Sequence, residues 1–335
     1  MEDTMISLMQ QEAKQAPDVI KQQIQENAPI AAKIGAKLTE FAPKMVMIIG
    51  RGSSDHAGVF AKYLIEIEAG IPTFAAAPSV ASVYGKTLQL ANAFVIVISQ
   101  SGRSPDILSQ AQMAKDAGAY VVALVNDESS PLAELVDDVL PLRAGPEKSV
   151  AATKSYLATL SALLQLTAHW TDNTSLVDAL EQLPTGLQAA VDSQVQLTSE
   201  SLQNTRNLVV LGRGLGYAVS KEIALKLKEV CSIHAEAFSS AEFLHGPVTL
   251  VEQQLTIVDC LVNDESKDAH QQQVAEVKSR GADVIHLNQI VADMHPRLAP
   301  LLVLQRFYLD VEHVAVSKGF NPDEPKGLKK VTQTL

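Results

Sequence analysis

The sequence predicts an α/β protein of two tandem domains, each a mostly parallel sheet flanked by helices in three layers. Three observations carry this. Short apolar runs of strand length alternate with longer amphipathic stretches, the signature of βαβ units around a parallel sheet. The same succession occurs twice along the chain. At 335 residues the chain exceeds one ordinary core, since a domain takes roughly 100–200 residues. A composition 47% hydrophobic and 19% charged is that of a globular protein.

The first strand spans residues 45–49 and empties into Gly50-Arg51-Gly52-Ser53-Ser54. The second spans 94–98 and runs into Ser99-Gln100-Ser101-Gly102; a helix over 105–117 leads to a third strand, 120–125. A weaker run, 138–142, reads as the end of this sheet. The second half repeats the plan: strand 208–211 before Gly212-Arg213-Gly214, strand 256–262, a helix ending at Gly281, and strand 284–287. Gly52 and Gly214 stand 162 residues apart, and Gly118 and Gly281 stand 163 apart. Near-equal offsets in several elements indicate an internal duplication. Pro184 and Gly186 lie between the copies, so the domains are expected at 1–180 and 181–335. The first forty residues read as a polar, Gln-rich helical stretch that packs across a dimer.

A net charge of −11 argues against a nucleic-acid partner, which needs a basic face, and against an anionic membrane surface. The opening MEDTMISLMQQEAK lacks the basic-then-apolar order of a signal peptide. No apolar run approaches the ~20 residues that cross a bilayer. Cys231 and Cys260 have neither CxxC nor Cys/His ligand spacing, which speaks against zinc and disulfides. A reduced cytoplasm is the expected setting.

A strand ending in small hydroxylated residues before a helix N-terminus suits a phosphate, because free amides and the helix dipole point at it. Ser99, Ser101 and Ser104 would donate hydroxyls, Gly102 would let the backbone approach, and Pro105 would start the helix. The plainer reading is a Ser-rich turn with a helix cap. The second copy has LVNDES at that place, whose acids repel an anion, so only the first copy should hold one. GRGSSD fails the G-x-G-x-x-G test for a dinucleotide site; Ser53 and Ser54 nonetheless lie at the carboxyl end of a strand, where ligands bind. Lys226 and Glu229 are three apart and share a helix face. They suit either a converging acid and base or a solvated ion pair. His245-Gly246-Pro247 sets a titratable ring on a turn, as a functional group or an ordinary surface residue.

GRGSSDHAG, SQSGRSPD, VAATKSY, the ALKLKE-to-LHGP stretch and the tail DEPKGLKKVT occur in that order. With them the chain resembles the sugar isomerase (SIS) family, in particular the isomerase portion of glucosamine-6-phosphate synthases and the stand-alone amino-sugar-phosphate deaminases. The resemblance implies two flavodoxin-like SIS domains and a phosphate held by Ser54, Ser99, Gln100, Ser101 and Ser104. It places Val150 and Ala152 along the sugar. It makes Glu229 the base between C2 and C1, His245 the ring opener, Lys226 an accessory proton carrier and Lys330 the lysine at the carbonyl end, able to form an imine. It implies a homodimer in which His245 serves the neighbouring subunit, with no cofactor and no metal.

Synthases open with a cysteine-bearing domain that extracts ammonia from glutamine, whereas this sequence opens Met1-Glu2-Asp3. The expected reaction is therefore glucosamine 6-phosphate to fructose 6-phosphate and ammonia. Ala152 stands where the synthases carry Ser, which bears on sugar stereochemistry. A fructosamine-6-phosphate deglycase, a non-catalytic sugar-phosphate sensor and a plain aldose-ketose isomerase are the alternatives.

Overall fold

The computed structural model describes residues 6–330; Met1-Glu2-Asp3 and the tail residues Val331 and Thr332 lie outside the described residues. In chain order the first half runs α1 (Leu8–Lys14), α2 (Ala16–Phe41), β1 (Met45–Ile49), α3 (Ser53–Glu68), β2 (Thr73–Ala75), α4 (Pro78–Ser82), β3 (Ala93–Ile98), α5 (Pro105–Asp116), β4 (Tyr120–Val125), α6 (Pro131–Leu135), β5 (Asp138–Pro141), α7 (Lys154–Trp170) and α8 (Thr174–Leu180). The second half runs α9 (Leu183–Asp192), β6 (Asn207–Gly212), α10 (Leu215–Cys231), β7 (His234–Ser239), α11 (Ser240–Phe243), a 3-10 segment (Pro247–Gln253), β8 (Thr256–Leu261), α12 (Lys267–Ser279), β9 (Asp283–Asn288) and α13 (Ala299–Ser317).

Two parallel sheets result, ordered β2-β1-β3-β4-β5 and β7-β6-β8-β9. The first is the flavodoxin-like order. The second repeats it without a fifth strand, so β1, β2, β3 and β4 correspond to β6, β7, β8 and β9. Every residue of β3 is buried, as a central strand covered on both faces requires. The edge strands β2 and β7 were not legible as strands. β2 is three residues long and exposes Phe74, while β7 reads HAEAFS and exposes His234 and Glu236. Neither leaves a continuous apolar run.

The chain divides into two compact units. One contains Asp18–Pro146 with Ser155–Glu181 and is built on the first sheet. The other contains the stretch ending at Pro17, Glu147–Lys154 and Gln182–Lys330, and is built on the second sheet. In the first unit Met47, Val95, Val121 and Ile107 share one core. In the second, Leu211, Ile257, Phe243 and Val277 do so, while α13 is buried along most of its length.

Candidate active site

In the first unit the strand order reverses between β1 and β3, and a crevice outside the carboxyl ends of strands at such a point is where open α/β sheets bind ligands. The two loops there are Gly50–Ser54 and Ser99–Ser104. Gly52 takes φ 54° and ψ −128°, a conformation closed to most side chains. Its counterpart Gly214 takes φ 53° and ψ −125°. The glycines thus serve tight strand-to-helix turns in both copies. Arg51 Nε donates to the buried carboxylate of Asp106 at 2.9 Å, tying the first loop to the start of α5. Ser99 is buried and its Oγ accepts the Gly102 N–H at 3.2 Å, so it shapes the loop from inside. The half-buried hydroxyls of Ser54, Ser101 and Ser104 make no hydrogen bond among the described residues. Ser104 occupies the N-cap of α5 without capping it, so this is not the ordinary Ser-capped turn. Gln100, half-buried, contributes its carbonyl to Asn126 N–H, and Ser53 begins α3.

Gly102 has φ 63°, and a Cβ there would lie 2.2 Å from Ser130 Oγ. Gly102→Ala therefore forces the loop off Ser130 and is expected to cost about 1–3 kcal/mol. Denaturant unfolding measures it; an unchanged midpoint would refute the tight approach.

At the equivalent loop of the second copy, Asp264 accepts from Ser266 N–H at 2.8 Å and from Ser266 Oγ–H at 2.6 Å. Its neighbour Glu265 is clamped by both terminal nitrogens of Arg297, at 2.7 and 2.9 Å. That hydrogen bonding pulls the Glu265 carboxyl down to about 2. The second loop thus carries its own anion and keeps its donors occupied.

In the second unit α10 lines up three charges. Lys226 Nζ sits 3.1 Å from Glu222 Oε1 and 2.5 Å from Glu229 Oε2. Lys226 and Glu222 side chains are 1% and 0% exposed, Glu229 21%. Burial alone would push the Lys226 ammonium down, but Glu222 and then Glu229 raise it overall. The lysine is therefore held charged, and Glu229 is the carboxylate that reaches outward. Glu222 escaped the sequence reading, although its i,i+4 spacing to Lys226 was a usable signal.

A second cluster gathers Lys330 with the 147–154 segment. Lys330 Nζ donates to Glu147 Oε2 at 2.9 Å and to Ser149 O at 2.8 Å. Glu147 Oε1 accepts Thr153 N–H at 3.0 Å, and Val150 N–H reaches Asp323 O at 2.9 Å. Val150 and Ala152 are half-buried; Thr153 Oγ1 is buried with no partner among the described residues. His245 is exposed on the turn after α11, its N–H bonded to Glu242 O at 3.0 Å. Among the described residues no helix is long and apolar enough to cross a membrane, and no cluster of His, Cys, Asp and Glu could hold a metal ion.

The SIS domain profile matches residues 41–169 and 201–290. A glutamine–fructose-6-phosphate aminotransferase (isomerizing) of Sulfolobus acidocaldarius is 34% identical over 299 residues, covering 85% of this chain and 49% of that protein. The chain spans about half the length of the curated relatives it matches. A Silicibacter pomeroyi structure, provisionally assigned as a phosphosugar isomerase, superposes with a TM-score of 0.89 at 36% identity, covering 95% of this chain and all of that one. The glucosamine-6-phosphate deaminase of Thermotoga maritima superposes at 0.77 with 21% identity, over 98% of this chain and all of that one, a likeness of fold alone. With the profile matched in both halves and the duplicated sheet in place, the chain belongs to the SIS domain family.

Proposed function

We propose that the chain isomerises an amino-sugar phosphate and releases its nitrogen, converting glucosamine 6-phosphate to fructose 6-phosphate and ammonia. The observation that carries this is the graded burial on α10: one outward carboxylate, Glu229, beside a lysine kept charged by a second, closed carboxylate, Glu222. That is the arrangement of a general base with a cationic neighbour.

The phosphoryl group is the task of Ser54, Ser101 and Ser104, whose hydroxyls are uncommitted, with Gln100 beside them and Ser99 and Gly102 shaping the loop. His245, on its exposed turn, opens the pyranose ring, and in the homodimer we propose it does so for the neighbouring subunit. Glu229 takes the C2 proton and returns it to C1, while Lys226, closed from solvent, acts through Glu229 by holding its carboxylate and exchanging charge with it. The C1 oxygen takes up a proton as the C2 nitrogen gives one up, so that C1 becomes CH2OH and C2 an imine, which water hydrolyses to the ketone and ammonia. Hydrolysis needs only water, whereas the reverse reaction needs ammonia delivered to C2. Lys330, beside Val150 and Ala152, meets the carbonyl end of the open chain. The two thiols, Cys231 and Cys260, are buried and pushed up to about 12 by burial, which keeps them out of the chemistry; the compartment we propose is the cytoplasm.

The test is ammonia release from the purified protein with glucosamine 6-phosphate, against unphosphorylated glucosamine. Ammonia and fructose 6-phosphate from the phosphorylated sugar alone are expected. A protein that binds the sugar phosphate without releasing ammonia overturns the reaction, and fructosamine 6-phosphate then becomes the substrate to try.

A further inference from the structure

The N-terminal helix α1 joins the second unit through side chains that the reaction above does not use. Glu12, 5% exposed, accepts two successive backbone N–H groups of the 147–154 segment: Lys148 at 2.5 Å and Ser149 at 3.1 Å. Ser149 is wholly buried, and the carbonyl of that same residue receives Lys330 Nζ at 2.8 Å. Asp323 completes the lacing. Its carboxylate accepts the Leu8 and Met9 N–H groups at the start of α1, at 2.9 and 2.7 Å, and its own carbonyl takes Val150 N–H.

A buried carboxylate is stable only when its oxygens are satisfied, and hydrogen bonds to a charged acceptor are about twice as strong as neutral ones. Glu12 meets that need by gripping one side of the residue whose other side holds the lysine. We infer that Glu12 is a positioning residue for Lys330, acting through Ser149; the inference rests on the role given to Lys330 above. Glu147 grips the lysine directly, and Glu12 fixes the backbone acceptor that sets its direction. Placing a reacting group is worth a great deal, since a misplacement of about 1 Å costs on the order of 100-fold in rate.

The experiment uses the full chain and the variant Glu12→Gln. Gln keeps the shape of Glu but turns one acceptor into a donor, which faces an N–H group. Two readouts are taken: acetylation of Lys330 relative to exposed Lys21, followed by mass spectrometry, and steady-state kinetics with glucosamine 6-phosphate. Glu12→Gln is expected to speed Lys330 acetylation by about tenfold, as one charge-assisted hydrogen bond implies. It is expected to lower kcat by about 10- to 100-fold with KM nearly unchanged, since the phosphate loop is untouched. A merely structural role would not move acetylation at Lys330 in a folded protein. If Glu12→Gln does not fold, Glu12→Asp, which keeps the charge and withdraws it by one methylene, carries the same test. A folded variant with Lys330 acetylation unchanged overturns the inference. Faster acetylation in a protein whose wild type is inactive on amino-sugar phosphates upholds the positioning and overturns the reaction instead.

Discussion

Glu229→Gln is expected to lower kcat by about 10²–10⁴-fold, the contribution of a well-placed general base, while KM and the unfolding midpoint stay close to wild type. The geometry separates these effects. Gln has nearly the volume of Glu but cannot take a proton from C2. Lys226 keeps its second partner, Glu222 at 3.1 Å, so the cation stays buried with a counter-charge. The loop proposed to hold the phosphate belongs to the other sheet and is unaltered. Steady-state kinetics with glucosamine 6-phosphate, alongside binding of a non-reactive sugar phosphate, checks the split. A Glu229→Gln enzyme that retains most of its turnover removes Glu229 from the base role. Loss of binding together with turnover would make it a binding residue.

Lys226→Met has the largest expected effect on stability. The lysine is 1% exposed between two carboxylates, one of them fully closed. Removing it leaves Glu222 without its cation in a low-dielectric setting. Breaking such a buried pair by deleting one partner costs about 3–5 kcal/mol. Denaturant unfolding at neutral pH measures this, and Lys226→Met with Glu222→Gln is expected to recover part of the loss because the stranded charge is gone. The two carboxylates raise the lysine above its ordinary value of 10.5. A raised group contributes its stability in full below the unfolded value and loses it only as pH climbs through the folded one. The wild-type advantage is therefore flat from neutral pH to about 10 and fades only in strong alkali. Loss of the advantage between pH 6 and pH 9 would contradict the buried triad.

The sheets were legible where both faces are covered. Met45–Ile49 and Tyr120–Val125 coincide with their apolar runs because a strand buried on two sides has no polar positions to interrupt it. Exposed edges carry mixed residues, and β2 and β7 left no such mark. The loop proposed to hold the phosphate stands out in the sequence because its residue types are local: hydroxyls, a glycine and a proline within a few residues. Lys226 and Glu229 were visible through helical spacing. Glu12 and Glu147 were not, because they work on backbone groups and a lysine 136 to 183 residues away, and no periodicity encodes such a pairing. In the polar first stretch, α1 is tied within the chain to Asp323 and to Glu312, which takes Ser7 Oγ at 2.6 Å, pairings that its Gln-rich composition does not announce.

Those ties set an order of assembly. Synthesis runs from the amino to the carboxyl end, and the first unit draws on Asp18–Pro146 and Ser155–Glu181, nearly contiguous chain that is available early. The second unit must bring residue 8 to residue 323, a separation of 315. Closing so long a loop carries an entropy cost that grows only slowly with length, so stability suffers little. The delay falls on kinetics, because contacts remote in sequence form late. Glu12 and Ser149 exist long before Lys330 does. The lysine proposed to meet the sugar is thus made after every strand of both sheets, and a nascent chain with a finished first sheet still lacks it.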